Sequence, residues 1–190
     1  MMKITIDLDT FTPELRERLT SIVGENYHLS LSGKDKSERL ESRLRKVISE
    51  PRPDTTDYDF CHGVEHYFEK DRVELKQFAV LGKSPKLQQV KPHLYDKILV
   101  AAESDDKTDW WILETKYVSP KAGKENKENG KLALARQHKG NEFEGQISYN
   151  ETFKKYAKFI LTTGPVDYKK ENLGLEDDIL SQILLFVKNH

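Results

Sequence analysis

Five consecutive apolar residues, Ile98 to Ala102, restrict the folds open to this chain more than any other stretch. A half-exposed strand alternates apolar and polar residues, whereas a run that is apolar on both faces reads as a central strand. Period-two segments surround it: "TDYDF" (56–60), "RVELKQFAV" (72–80) and "WWILETKYV" (110–118), with "YDKILVAA" (95–102) carrying the apolar run itself. Turn-like or polar stretches separate these four predicted strands.

Helical spacing flanks the strand region. "TPELRERLTSIVG" has a capping Thr12, Pro13 at the first helical position and Gly24 beyond its last apolar residue. In "DKSERLESRLRKVISE", Asp35 and Glu38 have capping-box spacing, and Leu40, Leu44, Val47 and Ile48 form one apolar stripe that ends before "PRPD". Residues 119–145 show no periodicity. A helix is predicted in "NETFKKYAKF", a strand in "KFILTT" and an amphipathic helix in "LEDDILSQILLFVKNH". The pattern predicts an α/β (α+β) domain with a central mixed β-sheet flanked by helices. One domain spanning 1–190 is expected, with a core over 35–118 and 158–190 and an insertion at 119–150.

Charge and cysteine content narrow the chemistry. The 190 residues are 33% charged yet sum to a net charge of −1, so any polyanion must be met by local positive charge. Cys61 is the single cysteine, which excludes an internal disulfide and a multi-thiolate zinc site. No run is long and apolar enough for a bilayer, and the "MMKITIDLDTF" start lacks signal-peptide character. A cytoplasmic protein with no membrane partner is the expectation.

Glu74 and Lys76 lie two apart on one predicted strand and therefore share a face. An exposed ion pair is the commonest origin of such spacing, and it contributes about 0–1 kcal/mol. Here Val73, Leu75, Phe78, Ala79 and Val80 indicate burial, where charges are costly. Asp57 and Asp59 share a face of the preceding predicted strand. Carboxylates converging from two strands favour a hard cation, Mg²⁺ above softer metals.

An amphipathic helix with Glu41, then "TDYDF", then "RVELKQF", then a Lys-Pro loop leading into "YDKIL", resembles the PD-(D/E)xK nucleases, most of all type II restriction endonucleases. The likeness covers roughly residues 35–115. It implies a restriction-endonuclease-like core and a Mg²⁺-dependent endodeoxyribonuclease that cuts double-stranded DNA, site-specifically and as a homodimer. It further implies Asp59 and Glu74 as metal ligands with the Leu75 backbone carbonyl, and Lys76 as the group that orients or activates water. Asp57 and Glu65 are substitutes for Asp59, and Glu41 is an accessory acid or an ordinary helix-surface residue. A repair, defence or toxin nuclease on the same core, and a non-catalytic DNA- or protein-binding module, are the alternatives.

Two further patterns compete. Glu114 and Lys116 repeat the Glu-x-Lys spacing and could pair with Asp96, but Asp96 opens an apolar strand and lacks the acidic prelude of the first pair. His62, Glu65 and His66 spell an inverted zinc-peptidase motif, which needs a helix; Gly63 and the flanking strands argue against one. For DNA contact, Lys116, Lys121, Lys124, Lys127, Lys131, Arg136 and Lys139 outnumber Glu125 and Glu128, as in a solvated loop or a phosphate-tracking arm. Arg136, Gln137, Asn141 and Gln146 follow as base-pairing residue types, and Lys83, Lys86, Gln88 and Gln89 form a second contact loop.

Overall fold

A computed structural model describes residues 12, 14, 31–48, 68, 71–80, 84–123 and 130–190. The chain divides into two compact units, Met1–Ser32 and Gly33–His190, and the architecture below is that of the second. Of the first predicted helix only Thr12 and Glu14 are described, and Glu14 is helical. The predicted strand at 56–60 lies outside the described residues.

The described elements form a mixed α+β structure. Helix α1 (Gly33–Val47) is followed by strands β1 (Val73–Ala79), β2 (Lys86–Val90), β3 (Lys97–Glu103) and β4 (Thr108–Glu114). A 3₁₀ turn at Thr115–Tyr117 leads to β5 (Ala135–Arg136), β6 (Gly145–Ser148), α2 (Glu151–Tyr156), β7 (Lys158–Thr163) and α3 (Asp177–Asn189). The main sheet runs β1-β3-β4-β7, with β1 and β3 parallel and the other pairs antiparallel. A smaller antiparallel sheet runs β2-β6-β5.

As its sequence requires, β3 is covered on both faces. Leu99 and Ala101 join Val73, Leu75, Trp110 and Ile112 against Leu40 and Leu44 of α1 and Leu180, Ile183, Leu184 and Val187 of α3. Ile98 and Val100 turn the other way, with Leu113, and meet Leu87, Val90, Leu134 and Ile147 of the small-sheet region and Phe153 of α2. Parallel neighbours need a crossover. Strand β2, which lies between β1 and β3 in sequence, packs on this second face through Leu87 and Val90.

Local signals explain most element ends. The Asn150 side chain accepts from the Thr152 and Phe153 N–H groups at 2.9 and 3.1 Å and starts α2. Asp177 and Asp178 open α3 and Lys188 closes it, each suited to the helix dipole. Two expectations need correction. Helix α1 begins at Gly33, so Asp35 lies inside its first turn and is no capping residue. The aperiodic stretch 119–145 is no simple loop: Leu132 and Leu134 are 3% and 1% exposed in the core, and β5 and β6 complete the small sheet.

Helix α1 also holds the segment leading to α3. Arg39 Nη1 donates to the Tyr168 carbonyl at 2.5 Å, Arg43 Nη2 donates to the Leu175 carbonyl at 2.9 Å, and Arg43 pairs with Asp177. The Tyr168 hydroxyl in turn donates to Glu103 Oε1 at 2.5 Å. Burial pushes the Glu103 pKa above its ordinary 4.5, against the opposing hydrogen bonds from Tyr168 and Gln77. The folded state therefore holds the Glu103 proton more tightly than the unfolded chain. This group's contribution to stability is most favourable below pH 4.5 and declines as pH rises through the folded value. Glu103→Gln keeps an acceptor for Tyr168 and should flatten that decline, read as denaturation midpoints over about pH 4–7.

Gly145 is enclosed more tightly than any larger residue could be. A Cβ there would lie 2.4 Å from the Ala135 carbonyl oxygen and 2.6 Å from Leu134 Cγ. Gly145→Ala should destabilise the protein by about 1–3 kcal/mol, the usual cost of overpacking, visible as a lowered melting temperature.

Candidate active site

The Glu74–Lys76 pair sits on the second face of the main sheet. Strand alternation and register set this: Val73 and Leu75 point to the helix layer, while Glu74 lies beside Ile98 and Lys76 beside Val100. Lys76 Nζ is 2.9 Å from Glu74 Oε1, and the two side chains are only 18% and 6% exposed. Beyond this ion pair the Glu74 carboxylate has no partner among the described residues. An ion pair in apolar surroundings is a weak stabiliser, because desolvation offsets most of its attraction. Core packing alone gives no reason to place it here.

Two polar contacts that sequence reasoning missed fix the strand that carries the pair. Asp96 and Lys97 donate their N–H groups to the Arg72 carbonyl at 2.8 and 3.1 Å, and the Arg72 N–H returns a bond to Asp96 Oδ2 at 2.9 Å. Arg72 Nε adds another at 3.2 Å. Burial pushes the Asp96 pKa up, but the Arg72 hydrogen bonds and charge outweigh it and hold the carboxyl below its ordinary value. The buried Lys97 ammonium donates to the Val187 carbonyl at the end of α3, at 3.0 Å, and pairs with Asp71 at 2.5 Å. A cation at a helix C-terminus is favourably placed. The sequence signal was available: a charged residue opening an otherwise apolar strand.

The competing Glu-x-Lys loses its geometry. Strand β4 ends at Glu114, and Lys116 lies in the 3₁₀ turn with a 60% exposed side chain. Thr115 Oγ1 donates to the Tyr95 carbonyl at 2.6 Å, and its N–H donates to the Asp96 carbonyl at 2.9 Å, which draws the chain out of the strand. Glu114 pairs with Lys116 and stands 4.0 Å from Lys158. Asp96, its expected acidic partner, is committed to Arg72.

The other predicted residues are those outside the described set, Glu41 on α1, and those on or flanking the small sheet. Asp57, Asp59, Glu65 and Lys83, with the motif at His62, Glu65 and His66, lie outside the described residues. Glu41 is buried on α1 and bound to Arg45 at 2.9 Å; its helix packs on the face opposite Glu74. Among the described residues no three His, Cys, Asp or Glu side chains gather as a metal-ligand group.

The small sheet unites the two predicted DNA-contact stretches. Lys86, Gln88 and Gln89 are on β2, Arg136 is on β5 with Gln137 next to it, and Gln146 is on β6. Lys131 and Lys139 flank β5. Asn141 Oδ1 accepts from the Phe143 N–H at 3.1 Å. Because β2 and β6 pack through Leu87, Val90 and Ile147 in the apolar cluster containing Ile98 and Val100, this sheet occupies the face that carries Glu74 and Lys76.

No protein-family model and no curated protein matches this sequence. No described helix is long and apolar enough to cross a membrane.

Removing one partner of a buried pair strands the other charge, at roughly 3 kcal/mol. Glu74→Gln and Lys76→Met should each lower stability in urea titrations by about that amount. The double variant should lose less than the sum, with a coupling of roughly 1 kcal/mol or more. Additive losses would show that the two groups do not interact.

Proposed function

We propose that the protein is a Mg²⁺-dependent endodeoxyribonuclease with a restriction-endonuclease-like core, acting on double-stranded DNA. One observation carries this reading. A desolvated Glu-x-Lys pair of the PD-(D/E)xK pattern stands on the sheet face occupied by a basic, glutamine-bearing sheet. A pair kept for stability alone would be poorly rewarded at such a place, whereas hydrolysis of a phosphodiester needs both of its charges.

Glu74 and the Leu75 carbonyl are oxygen ligands of the hard kind that a magnesium ion takes. Glu74 offers a hard oxygen whose twin is already held by Lys76, and Leu75 supplies a backbone carbonyl beside it. Asp59, or Asp57 or Glu65 in its stead, would complete the ligand set. Bound there, the ion would acidify a water molecule and offset charge on the scissile phosphate. Lys76 is anchored by Glu74 Oε1, so its ammonium is oriented without being neutralised. Its remaining N–H groups can donate to an attacking water or to a phosphate oxygen. The apolar side chains beside the pair lower the local dielectric and strengthen both interactions. Two copies related by a two-fold axis would present one such pair to each strand of a palindromic target.

Incubation of the purified protein with phage DNA, with Mg²⁺ or with EDTA, tests the proposal. Mg²⁺-dependent fragments are expected, discrete for a site-specific enzyme and smeared for a non-specific one. Lys76→Ala should reduce cleavage by roughly a hundredfold or more while leaving DNA binding in place. DNA that stays intact with Mg²⁺ sinks the catalytic reading, and retained binding would then define a DNA-binding module.

A further inference from the structure

Four of the chain's six glutamines meet at one irregularity of the small sheet. Leu87 pairs with Ile147 and Val90 with Gly145, so Gln88 and Gln89 together oppose Gln146. This is a β-bulge, a device that redirects side chains. Gln89 adopts a left-handed backbone, φ 52°, which is uncommon for a side-chain-bearing residue. Its N–H donates to Gln137 Oε1 at 2.8 Å, and that bond fixes which end of the Gln137 amide faces the bulge. Leu87 and Ile147 point into the core, so Gln88 and Gln146 point outward by alternation. Neither of their amides has a hydrogen-bond partner among the described residues.

An ordinary solvated sheet face mixes both signs of charge. Strands β2, β5 and β6 contain no acid, while Lys86 and Arg136 are basic. The three nearest acids in sequence are occupied, Glu151 by Lys154 at 2.8 Å. Glu142 pairs with Lys121 at 2.9 Å, and Glu144, 9% exposed, lies 3.7 Å from Lys91 and 3.6 Å from His138. In a chain of net charge −1 this leaves an amide-rich ridge whose strands carry Lys86 and no acid, complementary to a polyanion that carries donors and acceptors between its charges.

We propose that this bulge reads base edges in the major groove of double-stranded DNA, with Gln88 and Gln146 pairing to adenine and Lys86 seating a phosphate. A two-stranded β-ribbon fits the major groove, and a glutamine amide matches adenine N6 and N7 bidentately. Gln137, with its oxygen already engaged, is a positioning residue that holds Gln89 and hence the bulge. The inference rests on the nuclease reading for its substrate but is tested without cleavage.

The experiment selects from a fluorescein-labelled duplex pool, randomised over its centre, by anisotropy and sequencing in EDTA. Wild-type protein should enrich duplexes with A·T pairs at fixed positions. Gln88→Ala and Gln146→Ala should each lower the preference for A·T over G·C at one position by roughly tenfold. Lys86→Ala should weaken every duplex alike and reduce the log–log salt slope by about one. Gln146 is half-buried, so if Gln146→Ala lowers the melting temperature, the exposed Gln88→Ala decides. No enrichment, an unchanged preference in Gln88→Ala, or tighter binding of single-stranded than of double-stranded DNA each overturns the inference. Adenine-selective binding without Mg²⁺-dependent cleavage would retain this inference and remove the nuclease. Cleavage with no adenine preference would do the reverse.

Discussion

The reciprocal clasp between Arg72 and Asp96 is the contact on which the placement of the candidate site depends. Backbone and side-chain bonds run both ways between these residues, immediately before β1 and β3 begin. Parallel strands have no hairpin to set their register, so an anchor at their common end has to do it. With this register, Glu74 falls beside Ile98 and Lys76 beside Val100, on the face away from the long helices. A slip of one residue in strand facing would send both charges into the leucine layer of α1 and α3, where nothing in that apolar cluster could receive them. The Lys97 contact with Val187 and Asp71 reinforces the same end by tying α3 to it.

The two faces of the main sheet consequently have different tasks. The helix face is apolar and is secured at its margin by arginines of α1 that hold the segment before α3. It supplies stiffness. The second face is covered by short strands and a single short helix, and Trp111 and Phe159 of the main sheet pack edge-on or tilted with Tyr149 and Phe153. Such a layer buries enough surface to be stable, yet its outer side remains polar. The proposed site would lie there, on a packed base with a solvated rim.

Much of this was legible in the sequence because it was written in periodicity. The stripe Leu40, Leu44, Val47, Ile48 and the face of α3 answer to a repeat of 3.6 residues, the unbroken apolar run Ile98–Ala102 marks a strand buried on both faces, and each reached the predicted element. The pairing of Glu74 with Lys76 was legible for the same reason. The small sheet was not. Its strands β5 and β6 are two and four residues long, too short for a period to register, and a bulge interrupts the alternation of β2. The contacts of Asp96 and Lys97 were not legible for a different reason. Their tasks are set by Arg72 and by the end of α3, tertiary partners that no local pattern announces.

The bulge links these two kinds of information. A regular strand through residues 86–90 would alternate Lys86, Gln88 and Val90 on one face, putting Val90 into solvent. The extra residue resets the alternation, so Leu87 and Val90 both reach the core while Gln88 and Gln89 both stay outside. The left-handed backbone at Gln89 follows from that demand, and the Gln137 amide offsets part of its strain. A strand that needed only to cover Ile98 and Val100 could have done so with plain alternation. Keeping two adjacent amides outside while anchoring both flanking residues inside is what the bulge adds, and the surface so formed is the one the proposed base readout uses.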